Sequence, residues 1–280
     1  MTLVELLKKG EADLKQANVP EAGLNAWYLL SFVTGMSRGD YYLKSAEDAS
    51  QWQSRYEDVL RQRMERKPLE YITHETEFMG LPFYVDEHVL IPRQDTECLV
   101  EEILPLVRKK DVLDLCTGSG CIGVSLGVLG ECRSVTLADL SEEALQVAGK
   151  NAKKNEAKVS LIQGDLFENI VDKFDVIVSN PPYIATNEIP ALMPEVREFE
   201  PKMALDGMQD GLYFYRRIIH ESLGFLQYGG WLCFEIGYDQ AKPVGKLMQE
   251  KGFCNVMIKK DLAGLDRIVL GRRMEDENVR

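Results

Sequence analysis

No Cys-x-x-Cys pair occurs among the six cysteines, at 98, 116, 121, 132, 233 and 254, and no histidine stands at ligand spacing from them. That argues against a zinc framework. It leaves reduced, mostly buried thiols of a cytosolic protein as the expectation. His74, His88 and His220 have no nucleophile partner in the sequence and are read as structural or exposed. Long apolar runs are missing too, and none reaches the roughly 20 residues that a membrane helix needs. The N-terminal "MTLVELLKKGEADL" interrupts its helically spaced Leu3, Leu6, Leu7 and Leu14 with charges, so it does not read as a signal peptide. A cytoplasmic protein without membrane attachment is expected. A basic excess is also lacking: Lys and Arg number 33 against 45 Asp and Glu, for a net charge of −12. Nucleic-acid backbones are bound by clustered cations, so stable nucleic-acid binding is not expected. The acidic tail "MEDENVR" adds to this charge and is expected to fray. Repeats and low-complexity segments are absent.

What is present is ordinary for a soluble globular protein: 45% hydrophobic and 28% charged residues in a chain of 280. That length suits one large domain plus a small one. Residues 1–75 read as helical, with apolar residues recurring at three and four in "AWYLLSFV" and "WQSRYEDVLRQRM". Residues 76–92 hold short extended pieces punctuated by Gly80, Pro82 and Asp86-Glu87, which predicts a β-hairpin linker. "QDTECLVEEILPLV" follows as a helix, with Asp95 or Thr96 as its cap. From residue 93 to 280 the pattern is α/β. Strands are predicted at 111–115, 134–138, 159–162, 174–179, 230–236, 252–258 and 266–271. Helical patterns separate the first five, and a short loop separates the last two. This predicts a seven-stranded, mostly parallel sheet with helices on both faces, closed by an antiparallel hairpin.

"VLDLCTGSGCIG" (112–123) is a strand, a Gly-rich turn and a helix start, with Gly118, Gly120 and Gly123 spelling G-x-G-x-x-G. No Gly-Lys-Ser/Thr follows, so it is not a phosphate-cradling Walker loop. Asp114 lies four residues before Gly118, where a pyrophosphate would be repelled and an ammonium group welcomed. S-adenosylmethionine carries that ammonium, a sulfonium and an adenosine. Asp139 in "ADLS" has the spacing to accept from its ribose hydroxyls, or else to cap the next helix. Asp165 in "GDLF" can accept from the adenine amino group, with Leu166 and Phe167 as apolar cover. Asp114, Asp139, Asp165 and Asn180 each close a successive strand, and ligands of open parallel sheets lie beyond those ends.

The fourth strand ends in "NPPY". Pro181 and Pro182 fix φ and donate no N–H, so Asn180 and its neighbours form a stiff segment presenting carbonyls and one amide. Asn180 Oδ1 and the Pro181 carbonyl can accept two hydrogen bonds from one NH2 group, and Tyr183 can face a flat π-system. Bonds to both N–H groups help a planar nitrogen to pyramidalise and stabilise its developing charge. The motif therefore suits methylation of an amide or an exocyclic amino nitrogen.

"DLCTGSG", "ADLS" and "GDLF" resemble the class I S-adenosylmethionine-dependent methyltransferases, a Rossmann-like fold. Many members have Gly where Cys116 stands. The resemblance implies cofactor contacts from Asp114, Cys116, Thr117, Gly118, Ser119, Gly120, Asp139, Leu140, Asp165, Leu166, Phe167, Asn180 and Arg93. Arg93 reads equally as a partner of nearby acids. "NPPY" is shared by DNA adenine-N6 and protein glutamine-N5 methyltransferases. Three longer stretches resemble the PrmC/HemK family of release-factor glutamine methyltransferases. They are "KPLEYITHETEFMGLPFYVDEHVLIPRQDTE" (67–97), "FEPKMALDGMQDGLYFYRRII" (199–219) and "FEIGYDQ" (234–240). The match departs at His74, where Gly is common. It implies a substrate, the glutamine of the Gly-Gly-Gln loop in bacterial peptide chain release factors, docked with help from the helical domain. Asn180, Pro181 and Tyr183 would be catalytic, and Pro182 would join them in binding substrate. The acidic "PEVREFEP" reads as a solvated loop or a wall facing the peptide. A nucleic-acid amino methyltransferase and a non-catalytic cofactor-binding module are the alternatives. A monomer is expected.

Overall fold

The computed structural model describes residues 1–274; the rest of the acidic tail, expected to fray, lies outside the described residues. Two compact units form, residues 1–74 with 193–199, and residues 75–192 with residue 200 onward.

The first unit is helical: α1 (Leu3–Gln16), α2 (Ala22–Thr34), α3 (Arg38–Lys44), α4 (Ser50–Met64) and α5 (Leu69–Thr73). A capping box starts α1, with Thr2 Oγ1 accepting from the Glu5 N–H and Glu5 Oε2 accepting from the Thr2 N–H. Leu3, Leu6 and Leu14, three of the four leucines that set its period, are fully buried. Helix α2 has apolar residues on nearly every side and sits in the middle of the unit's core, contributing Ala26, Leu29, Leu30 and Val33. Tyr56 of α4 is fully buried and donates its hydroxyl hydrogen to the Ala26 carbonyl at 2.9 Å. Helix α5 stops at His74, whose φ of 57° is left-handed. Glycine takes that conformation without steric cost, which is why a Gly suits this position.

The second unit opens with the hairpin β1 (Thr76–Phe78) and β2 (Leu81–Phe83), turning through Met79 and Gly80, both at positive φ. Two such central residues make a turn whose twist matches the strands. There follow α6 (Gln94–Ile103), β3 (Asp111–Leu115), α7 (Cys121–Leu129), β4 (Ser134–Asp139), α8 (Glu142–Lys154), β5 (Ser160–Gln163) and β6 (Phe174–Ser179). Helix α9 (Pro194–Phe199) belongs to the helical unit. The chain finishes with α10 (Lys202–Leu205), α11 (Tyr213–Ser222), β7 (Leu226–Glu235), α12 (Ala241–Glu250), β8 (Phe253–Lys260) and β9 (Asp266–Arg273). The seven-stranded sheet has the order β5-β4-β3-β6-β7-β9-β8, parallel except for β9. Alternate residues face opposite ways. Val112, Val176 and Val178 enter a core with α6, α7 and α8, while Leu113, Leu115 and Ile177 enter another with α11 and α12. Strand β7 begins at Leu226, ahead of the expected residue 230, because Gly229 and Gly230 form an irregularity in its pairing with β6 and not a break. From β3 the chain moves outward to β4 and β5, then returns to place β6 on the other side of β3. The carboxyl ends of β3 and β6 therefore flank a topological switch point, where such sheets bind ligands.

Two expectations are corrected. Helix α6 starts at Gln94 after Arg93, with no side-chain cap, so neither Asp95 nor Thr96 caps it. Asp95 pairs with Arg267 at 3.1 Å, and Thr96 is 2% exposed. The "PEVREFEP" segment is not a solvated loop either. Within the helical unit Glu195 is buried and accepts from Arg63 Nη2 at 2.9 Å and from Arg66 Nε and Nη2 at 2.8 Å. Two guanidiniums on one carboxylate hold its pKa below the usual range, against the opposing effect of burial. Removing one member of a largely buried cluster strands the others. Glu195→Ala is expected to lower the unfolding free energy by about 2–3 kcal/mol, less than a fully buried pair because Arg66 keeps some exposure. A urea titration checks this.

Candidate active site

Strand β3 ends at Leu115 and the chain turns sharply into α7. Cys116, Gly118 and Gly120 all have positive φ, at 58°, 54° and 79°. The left-handed Cys116 explains why glycine suits its position as well. Asp114 fastens the turn from below. It is fully buried, and its Oδ2 accepts from Thr117 Oγ1 at 2.6 Å and from the Gly123 N–H at 2.9 Å. Burial pushes its carboxyl up to about 7, with those two bonds opposing. Gly123 is needed for a different reason: a Cβ there would lie 2.1 Å from Leu137 Cδ2 and 3.0 Å from Asp114 Oδ2. Leu137 is fully buried and cannot easily give way. Gly123→Ala is thus expected to destabilise by about 2 kcal/mol, as overpacked cores do, readable as a shift in urea midpoint.

Asp139, at the end of β4, is joined to the same turn. Its Oδ2 accepts from the Gly118 N–H at 2.8 Å and its Oδ1 from the Ser141 N–H at 3.0 Å. The cap of α8 is Ser141, whose hydroxyl accepts from the Ala144 N–H at 3.0 Å, so the capping alternative for Asp139 falls away. Burial raises the Asp139 pKa, and hydrogen bonds from Ser141, Gly118 and Leu140 oppose this. After β5, Asp165 pairs with Arg217 at 2.9 Å. Leu166 and Phe167 are buried, and Phe167 stacks on Phe225 with centroids 4.6 Å apart.

At the end of β6, Ser179 donates to the Leu115 carbonyl at 2.7 Å, tying the two strand ends together. Asn180 follows, half-buried, with Nδ2 3.5 Å from Thr96 Oγ1. The backbone beyond is wrapped by the "LDGMQDG" stretch. Ile184 N–H donates to the Leu205 carbonyl at 3.0 Å, and Gly207 N–H to the Ile184 carbonyl at 2.8 Å. Gln240 Nε2 donates to the Tyr183 carbonyl at 2.9 Å. Gly211 passes so close that a Cβ would lie 2.3 Å from that same carbonyl oxygen. Two of the stretches that resemble the PrmC/HemK family therefore meet on the Asn-Pro-Pro-Tyr segment. Burial drives the Tyr183 hydroxyl pKa far up, so the phenol stays protonated.

These elements enclose a cavity in the second unit. Cys116, Thr117, Gly118, Ser119, Asp139, Leu140, Asp165, Leu166, Asn180, Pro182 and Arg93 all line it. Asp114, Gly120, Phe167, Pro181 and Tyr183 are not among the lining residues. Arg93 lines the cavity and pairs with the buried Glu200, which is the acid-partner reading of the two. His88, read only as structural or exposed, is exposed and lines the cavity. Thr96 and Phe214 line it too and were missed as site residues. Among the described residues no His, Cys, Asp and Glu side chains group so as to hold a metal. None of their helices is long and apolar enough to cross a membrane.

A cavity over the carboxyl ends of a sheet in this order, with the glycine turn on one side and Asn-Pro-Pro-Tyr on the other, defines a Rossmann-like methyltransferase. The family model "Methyltransferase small domain" matches residues 94–195, and "PrmC N-terminal domain" matches residues 5–73. A release factor glutamine methyltransferase of Clostridium acetobutylicum is 39% identical over 98% of this chain and 99% of its own. One from Geobacter sulfurreducens is 40% identical over 97% and 96%. The chain belongs to the release factor glutamine methyltransferase family. Among solved structures, a methyltransferase from Pyrococcus furiosus superposes with a TM-score of 0.54 at 18% identity, covering 70% of this chain and 91% of that one. The T. Thermophilus 16S rRNA N2 G1207 methyltransferase, in complex with AdoMet and guanosine, gives 0.52 at 18% identity over 71% and 49%. These two likenesses concern the fold.

Proposed function

We propose that this enzyme transfers a methyl group from S-adenosylmethionine to the side-chain amide nitrogen, N5, of the Gly-Gly-Gln glutamine in bacterial release factors. In this reading it works in the cytoplasm as a monomer, and the helical domain (1–75) and hairpin linker (76–92) help the methyltransferase domain (93–280) to receive the release factor. The observation that carries the reading is likeness over nearly the whole chain to relatives named for that reaction, combined with Asn180 on the cavity wall.

The residues present fit the cofactor. A Cβ added at Gly118 would meet no atom within 4 Å, so the turn leaves bare backbone beside the cavity. Asp139 and Asp165 each present a carboxylate there, for the ribose hydroxyls and the adenine amino group. Leu140 and Leu166 offer apolar surface. When bound, S-adenosylmethionine supplies an electrophilic methyl on a sulfonium. Asn180 Oδ1 and the Pro181 carbonyl accept the two N–H groups of the substrate amide and aim its nitrogen. Pro181 and Pro182 keep those acceptors rigid, so little reorganisation is needed as positive charge develops. Asp114 serves from below, by fixing Thr117 and the start of α7. The nitrogen enters with two hydrogens and leaves with one, so one proton departs. Mass spectrometry of a release factor incubated with enzyme and S-adenosylmethionine tests the reading. One added methyl on the Gly-Gly-Gln glutamine supports it. Methylated DNA or ribosomal RNA with an untouched release factor would move the assignment to the nucleic-acid alternative.

A further inference from the structure

Thr96 and Glu235 are both 2% exposed and take no part in the chemistry described above. Thr96 lies in the first turn of α6, with its Oγ1 3.5 Å from Asn180 Nδ2. Glu235 ends β7, and the Thr96 side chain beside its carboxylate favours the ionised form against burial. The Tyr183 hydroxyl sits 3.5 Å from Glu235 Oε1. Glu235 Oε2 has no hydrogen-bond partner, although it is buried. One buried carboxylate therefore stands behind both ends of the Asn-Pro-Pro-Tyr segment.

A hydroxyl has a single hydrogen, and an ionised carboxylate can only accept. If Glu235 takes the Thr96 hydrogen, Thr96 offers only lone pairs to Asn180. The Asn180 NH2 must then face Thr96, and Oδ1 must face the cavity. A protonated Glu235 can itself donate, which frees the Thr96 hydrogen, and either end of the Asn180 amide then satisfies it. We infer that Thr96 and Glu235 are positioning residues that set the direction of the Asn180 amide. The inference rests on the amide-nitrogen reading proposed above.

The titratable and charged groups that face Glu235 are Asp95 from α6, Cys121 from α7, Tyr183, Tyr215 from α11 and Arg267 from β9. Arg267 is shared with Asp95 and Asp261, each at 3.1 Å, so it compensates Glu235 only in part. Burial pushes the Glu235 carboxyl up to about 7, opposed by Thr96, Arg267 and Tyr183. Under this inference, protonation of Glu235 would change which end of the Asn180 amide Thr96 can hold.

The test measures kcat and both KM values of the full-length enzyme on a release factor, for wild type, Thr96→Val, Thr96→Ser and Glu235→Gln. Thr96→Val keeps shape and removes the hydroxyl. It is expected to lower kcat about tenfold with both KM values within about twofold, the mark of an interaction that acts at the transition state. Thr96→Ser is expected to restore kcat to within about threefold. The wild-type kcat should fall below about pH 7, and Glu235→Gln should flatten that limb. An unchanged kcat in Thr96→Val overturns the inference, and so does a loss confined to KM. A failure of Glu235→Gln to fold leaves the threonine pair to decide. Absence of wild-type turnover would overturn the amide reading and this inference with it, whereas wild-type turnover that Thr96→Val preserves overturns the inference alone.

Discussion

Asn180→Ala is expected to abolish most turnover, lowering kcat on a release factor by about 10²–10³-fold while S-adenosylmethionine still binds. The magnitude is that of removing one preorganised polar group aimed at developing charge. Asn180 is one of two acceptors proposed for the substrate N–H groups. Its loss leaves the Pro181 carbonyl alone, and the nitrogen is then held at one hydrogen instead of two. Most of the wall proposed for the adenosine, from Asp139 to Leu166, is built by other strands and stays in place, so cofactor affinity should change by only a few-fold. Asn180→Asp separates aim from charge. It keeps an acceptor of the same reach but replaces the NH2 that faces Thr96, and an intermediate loss of about tenfold is expected. Equilibrium binding of the cofactor alongside single-turnover methylation distinguishes these variants. Full activity in Asn180→Ala would sink the role given to this residue and favour a cofactor-binding module without chemistry.

The strands were legible because β-branched runs such as "VIV" at 176–178 bounded by turn residues admit few other readings. The cavity wall was legible because each acid or amide closes one of those strands, and the fold brings strand ends together. Partnership across the chain was less so. Thr96 looked like a helix cap because its local setting, a small hydroxyl before an apolar run, is that of a cap. Its true neighbours, Asn180 and Glu235, lie 84 and 139 residues away. Glu195 looked like solvated charge because periodicity cannot show that Arg63 and Arg66 converge on it from more than 120 residues earlier. Asp114 is the instructive middle case. Its carboxylate at the strand end was visible, and so was the argument against phosphate. That it is sealed beneath the turn, bonding the loop instead of lining the cavity, depends on which side of β3 it faces and on how closely Gly123 lets α7 approach.

Burial of Asp114 also gives stability an unusual pH dependence. Its folded carboxyl sits at about 7, against roughly 3.9 in an unfolded chain. Between those values the folded protein keeps a proton that the unfolded chain has released. Each pH unit of rise in that window removes about 1.4 kcal/mol. The contribution is complete below about pH 4 and gone above about pH 7, a span on the order of 4 kcal/mol at most. Ordinary carboxylates such as Glu195, held low by its arginines, work in the opposite direction, so the wild-type curve alone is not diagnostic. The difference between wild type and Asp114→Asn is. Asparagine keeps an oxygen for Thr117 and Gly123 and never ionises. Measured by urea unfolding without added cofactor, Asp114→Asn is expected to gain on wild type steadily from pH 5 to pH 8, by about 3 kcal/mol. A flat difference would mean that Asp114 is ionised throughout. The turn beside the cavity would then be held by a full negative charge, on a buried carboxylate whose Oδ1 has no hydrogen-bond partner.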